Sequence, residues 1–172
     1  GEVIPKLSLV GIRAAGIPGT VAGMWEAHQK FGTMKWADLV APAIGYAKNG
    51  FEVHPKTAND VRDIIPWFGE ATNFAEHFGS MQKPGLFKQA DLAATLERIA
   101  EKGPDDFYSG KTAKLLVAQS ERDDGLISMK DMAGYEAVWR APLIAQWRDY
   151  QVVTAPPPSS GGFAVIQLLK MK

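Results

Sequence analysis

The stretch best suited to chemistry is Pro156-Pro157-Pro158-Ser159-Ser160-Gly161-Gly162. Three prolines fix φ and remove three backbone donors, two serines add small hydroxyls, and two glycines permit turns or close approaches closed to other residues. Gln151 to Thr154 reads as a strand, and Phe163 to Lys170 carries apolar residues at helical spacing, so the stretch joins a strand to a helix. Ser159 or Ser160 is placed to cap that helix, which leaves first-turn N–H groups beside Gly161 and Gly162 free to face an anion. A plainer reading, a proline-stiffened cap that holds no ligand, accounts for the same residues and is preferred. Ser159, Ser160, Gly161 and Gly162 therefore enter as a structural motif near a site, and no catalytic or substrate-binding residue is assigned.

Other residue types offer less. His28, His54 and His77 are too scattered to suggest a metal site. Gly16-Ile17-Pro18-Gly19 superficially resembles a phosphate loop but lacks the lysine and the strand-to-helix context, and there is no HExxH or dinucleotide glycine fingerprint. Asp105-Asp106 and Asp123-Asp124 fall at helix ends, where dipole and turn roles account for them. The tryptophans at 25, 36, 67, 139 and 147 read as core or interface residues. The pattern calls for no metal and no cofactor.

These residues need elements to hold them. Ala14 to Thr20 must turn, and a helix capped by Thr20 follows through Lys30. A second helix opens at Thr33 or Met34 and stops at Lys48-Asn49-Gly50, with Pro42 expected to kink or split it. A third is expected from about Pro55 to Ile65, with Pro66 as its barrier. Between Trp67 and Lys88 periodicity fades, which predicts a long loop or a set of short turns. Helices resume at Gln89 to Lys102, from Pro104, and from Lys111 to Glu121, and Ser128 to Asp131 forms a capping box. After Tyr135 the character turns to strand: Leu143 to Trp147 and Tyr150 to Thr154 should pair across Arg148-Asp149. A two-stranded ribbon alone is marginal, so the sheet is expected to belong to a larger fold. The closing helix runs to Lys172 in mid-pattern and the chain begins without Met, which adds to the expectation of a fragment.

Composition bounds the class. Of the 172 residues, 46% are apolar and 22% charged, the make-up of a soluble globular protein with one domain or somewhat more. Nineteen basic and nineteen acidic side chains cancel, which removes the electrostatic case for nucleic acid or an anionic membrane as main partner. No window approaches a membrane span or a signal peptide. The absence of cysteine excludes a thiol nucleophile and leaves the compartment open.

Five separated stretches together resemble the large subunit of the γ-glutamyltranspeptidase family. Tyr150-Gln151-Val152 leading into Pro156 to Gly162 is similar to its PPPSSGG element, and Gly16 to Gly23 to its PGTVAG element. Leu39 to Ile44 with Lys48 to Phe51 resembles LVxPAIxLAxxGF, Asp91 to Gly110 resembles DLAxTLxxIAxxGPDxFYxG, and Gly125 to Ser128 with Asp131 to Tyr135 resembles GLITxxDLAxY. The matches keep the family's order along nearly the whole chain.

The resemblance implies an α+β, mainly helical fragment of an αββα N-terminal-nucleophile hydrolase, with 1–172 forming one partial domain from the central and C-terminal part of the large subunit. The family is made as a precursor that cleaves itself and transfers or hydrolyses the γ-glutamyl group of glutathione and related amides. Its nucleophile is the threonine that heads the small subunit, where its own amine can act as base. No position here corresponds to that threonine, since all the chain's threonines are internal and match other positions. The arginine that binds the substrate α-carboxylate lies upstream of the PGTVAG element. The family's functional serine and glycine pairs belong to the small subunit, so Ser159-Ser160 and Gly161-Gly162 do not stand for them. The implied partners are the remaining large-subunit segment and the threonine-headed small subunit. The fragment alone is expected to be inactive, and the full protein to be periplasmic or secreted. A cephalosporin or glutaryl acylase of the same fold and a non-catalytic helical packing module stand as alternatives.

Overall fold

The computed structural model describes residues 4–69 and 72–171. The chain divides into two compact units, Gly1–Ala137 and Val138–Lys172. In the first, α1 (Thr20–Phe31), α2 (Trp36–Asn49), α3 (Pro55–Phe68), α4 (Phe74–Phe78), α5 (Ala90–Lys102), α6 (Pro104–Ser109), α7 (Lys111–Arg122) and α8 (Met129–Ala133) follow one another. Two short strands, β1 (Phe51–Glu52) and β2 (Leu86–Phe87), pair antiparallel with Phe51 opposite Phe87.

Two apolar clusters hold this unit. Ala22, Tyr108, Ala113, Val117, Ile127 and Met132 join α1, α6, α7 and α8. Val53, Ala58, Val61, Met81 and Phe87 gather under α3. α2 lies along α5, and the bond from Trp36 Nε1–H to the Ile99 carbonyl, 2.9 Å long, ties the start of one to the end of the other. Trp25 meets Trp36 edge to face at 5.2 Å, a favoured aromatic geometry that closes the same corner. The capping box at α8 is present: Ser128 Oγ accepts from the Asp131 N–H, and Asp131 accepts from the Ser128 N–H.

Three local expectations shift and a fourth is narrowed. α1 has Gly19 at its N-cap rather than Thr20, and position 19 must be glycine, since a Cβ there would sit 2.8 Å from the Tyr135 ring carbon that carries the hydroxyl. α2 starts at Trp36 with Lys35 as its cap and carries Pro42 without splitting. α3 passes Pro66 and ends at Phe68; one missing donor near a C-terminus breaks a single rung, and the helix begins firmly with Pro55 behind a His54 cap. Among its described residues the 67–88 region takes the short-turn alternative rather than the long loop, with α4, a 3₁₀ turn at Gly79–Gln82 and β2 within it. These pieces are each too short to show a period. Phenylalanines bind them instead: Phe68–Phe74 at 4.7 Å, Phe74–Phe78 at 4.8 Å and Phe78–Phe87 at 6.2 Å between ring centroids.

The second unit is a hairpin and a helix. β3 (Leu143–Trp147) and β4 (Tyr150–Thr154) pair antiparallel in the expected register, Trp147 opposite Tyr150, and Arg148 takes the positive φ of 50° that a two-residue turn requires. α9 (Ser160–Lys170) packs against both strands. Leu143, Ala145, Trp147, Val152 and Thr154 are half-buried, whereas Ile144 and Val153, paired with each other, are exposed at 61% and 58%. Phe163, Val165 and Leu168 of α9 are exposed as well. Among the described residues, no helix is long and apolar enough to cross a membrane.

Candidate functional site

The PPPSSGG corner leads from β4 into α9, whose first turn takes in Ser160, Gly161 and Gly162, three residues ahead of the Phe163 start expected from the sequence. Ser159 is the N-cap residue of α9, with extended backbone, and its N–H donates to the Pro156 carbonyl at 3.2 Å. Its hydroxyl does not bond the helix, so the cap is made by backbone position rather than by the serine side chain. Ser159 and Ser160 are exposed. The two glycines divide the work. Gly162 is buried, and a Cβ there would lie 2.6 Å from Thr154 Oγ1 and closer still to the Ala155 carbonyl oxygen, so only glycine lets α9 sit this tightly on the end of β4. At Gly161 a Cβ would meet nothing nearer than Ser159 Oγ at 3.8 Å. The corner thus positions a helix; no side chain in it forms a nucleophile–base pair.

The best-organised polar group is in the other unit. Asp106 is 4% exposed and sits at the junction of α5, α6 and α7. Its carboxylate accepts from the Thr112 hydroxyl at 2.6 Å, Arg98 Nε at 3.0 Å and the Lys111 N–H at 3.1 Å. Arg98 also donates to the Ala94 carbonyl and to Thr95 and Thr112 hydroxyls, all within 3.1 Å. Burial pushes the Asp106 carboxyl up, but the bonds from Thr112, Arg98 and Lys111 and the Arg98 charge outweigh it and hold the group below the ordinary aspartate value. A carboxylate with all its donors supplied by neighbouring helices is a joint, not an acid or base. The sequence suggested only a helix-dipole role for Asp106; the signal missed was the threonine six residues on, which returns to it across the Gly110 turn.

Tyr108 performs a similar service. Its hydroxyl donates to the Pro18 carbonyl at 2.6 Å and accepts from the Ala22 N–H at 3.2 Å, and its ring stacks on Tyr135 at 5.5 Å. Burial raises its phenol, only partly opposed by the Ala22 bond. The GIPGTVAG stretch is therefore held by the FYSG and GYE stretches, and of its glycines Gly19 serves that packing by giving room to the Tyr135 ring.

The histidines lie in three separate structural settings. His28 Nε2 donates to the Met34 carbonyl at 2.8 Å, His54 Nδ1 accepts from the Lys56 N–H at 3.2 Å, and the Asn73 amide lies 3.0 Å from His77 Nε2. Among the described residues, no three of His, Asp or Glu come together to hold a metal ion. A cleft of about 1230 Å³ lies between the 7–15 segment, α4 and the end of α7, bordered by Leu7, Val10, Ile12, Asn73, Glu76 and Arg122. Arg13 pairs with the Asp124 carboxylate there and donates from Nε to the Asp124 carbonyl at 2.8 Å.

A family model described as "Gamma-glutamyltranspeptidase" matches residues 1–172. The "Glutathione hydrolase proenzyme" of Pseudomonas aeruginosa is 54% identical over 172 residues, which cover 100% of this chain and 31% of that protein. The "Acylase ACY 1 proenzyme" of Pseudomonas sp. strain SE83 is 35% identical, covering 96% of this chain and 30% of its own. The solved gamma-glutamyltranspeptidase of Pseudomonas nitroreducens complexed with L-DON superposes with a TM-score of 0.95 at 55% identity, over 100% of this chain and 51% of that one. The chain thus spans about a third of the length of these curated relatives. With the model matched from end to end and the architecture superposing throughout, the chain belongs to the gamma-glutamyltranspeptidase family.

Proposed function

We propose that this chain is part of the large subunit of an autoprocessing enzyme that transfers or hydrolyses the γ-glutamyl group of glutathione and related amides. The observation that carries the reading is the 54% identity, unbroken over the whole chain, to a glutathione hydrolase proenzyme. The chain's own part is architectural. The Asp106 joint and the Tyr108 clasp fix the helices of one unit, and Gly162 fixes α9 on its hairpin in the other. The exposed Ile144–Val153 pair and the outer face of α9 fit a ribbon built to be covered by further layers of an αββα fold. The complete protein would be exported, to the periplasm or the medium.

The chemistry belongs to a threonine at the head of the small subunit. Its hydroxyl oxygen attacks the γ-glutamyl carbonyl, its free amine takes the hydroxyl proton and returns it to the leaving amine, and an acyl-enzyme forms. Water or an amino acid then takes the acyl group. Side-chain acylase activity on a cephalosporin is the second reading, favoured by the 35% identity to the ACY 1 acylase proenzyme.

The test is to express the gene's full reading frame, purify the product and assay a γ-glutamyl anilide and a glutaryl cephalosporin side by side. Turnover of the anilide with two polypeptides present, one headed by threonine, is expected. Hydrolysis of the cephalosporin alone would transfer the assignment to the acylase, and an unprocessed, inactive product would overturn both. The 172-residue chain assayed by itself should release no aniline; sustained turnover from homogeneous material would refute the assignment of the nucleophile to the other subunit.

A further inference from the structure

No further inference is drawn: the strongest candidate, the cleft of about 1230 Å³ between the 7–15 segment, α4 and the C-terminal end of α7, has Arg13, Arg122, Asp123 and Asp124 already bonded to Asp124, Gln119, Gln119 and Arg13 respectively, and nothing in the structure shows what covers it.

Discussion

Replacing Asp106 with asparagine should cost this fold about 3 kcal/mol at neutral pH. The substitution keeps shape and removes charge. One of the two carboxylate oxygens becomes an NH2 group, and the oxygen now facing Arg98 Nε and the Thr112 hydroxyl cannot be kept together with the one facing the Lys111 N–H. The threonine can rotate and accept; the guanidinium cannot. Breaking a buried ion pair by removing one partner costs about 3–5 kcal/mol. Arg98 keeps 17% of its side-chain surface in solvent and retains its bonds to Ala94, Thr95 and Thr112, which places the cost at the lower end. For a chain of this size the loss corresponds to a melting point lowered by on the order of 10 °C. Thermal unfolding followed by circular dichroism at 222 nm would read it.

The pH dependence supplies a second, independent check. The Asp106 carboxyl is depressed in the folded state, so its contribution is present above the unfolded value near 3.8 and is lost as pH falls through the folded value. The gap between parent and Asp106→Asn should therefore be full at pH 7 and close progressively below about pH 4. Thr112→Ser, which keeps the hydroxyl, should melt close to the parent. An Asp106→Asn variant that melts within about 2 °C of the parent at pH 7 would refute the view of Asp106 as the joint of three helices.

Tyr108→Phe removes the donor to Pro18 and strands the Ala22 N–H, a loss of about 1–3 kcal/mol in thermal unfolding. Because burial raises the Tyr108 phenol, the parent's stability should fall as pH rises above about 10 toward the folded value, more steeply than that of the phenylalanine variant. Gly162→Ala forces a methyl against Thr154 and Ala155 and should loosen α9 by about 1–3 kcal/mol, read as faster hydrogen exchange of its amides. Gly161→Ala makes only an ordinary van der Waals contact with Ser159 Oγ and should leave exchange unchanged or slow it, since alanine favours a helix by about 1 kcal/mol over glycine. Equal effects from the two glycines would contradict their division of roles.

The sequence made legible whatever has a long period or a sharp punctuation mark. The hairpin register followed from two alternating runs separated by two residues, and the Ser128 capping box from its spacing. Both came out residue for residue. The 67–88 region was opaque because its pieces are five residues or fewer and its cohesion comes from phenylalanines that meet only after folding. Gly19 stands at the cap position expected of Thr20, and it must be glycine because of Tyr135, more than a hundred residues away, a neighbour that no local rule contains. At the PPPSSGG corner the strand-to-helix connection was readable, but the serines gave no hint that their hydroxyls would leave the helix end alone. Paired glycines in a sequence do not say which one is needed; only the packing distinguishes Gly162 from Gly161.

The Gly103-to-Gly110 stretch, part of one of the five stretches that carry the family resemblance, encodes a joint of helices in which Asp106 and Tyr108 are both buried. A buried joint of this kind fixes where α5, α6 and α7 stand without offering a side chain to a ligand. For anyone redesigning this scaffold, Asp106 and Tyr108 are hinges of assembly, and substitutions are better spent on the exposed faces around them.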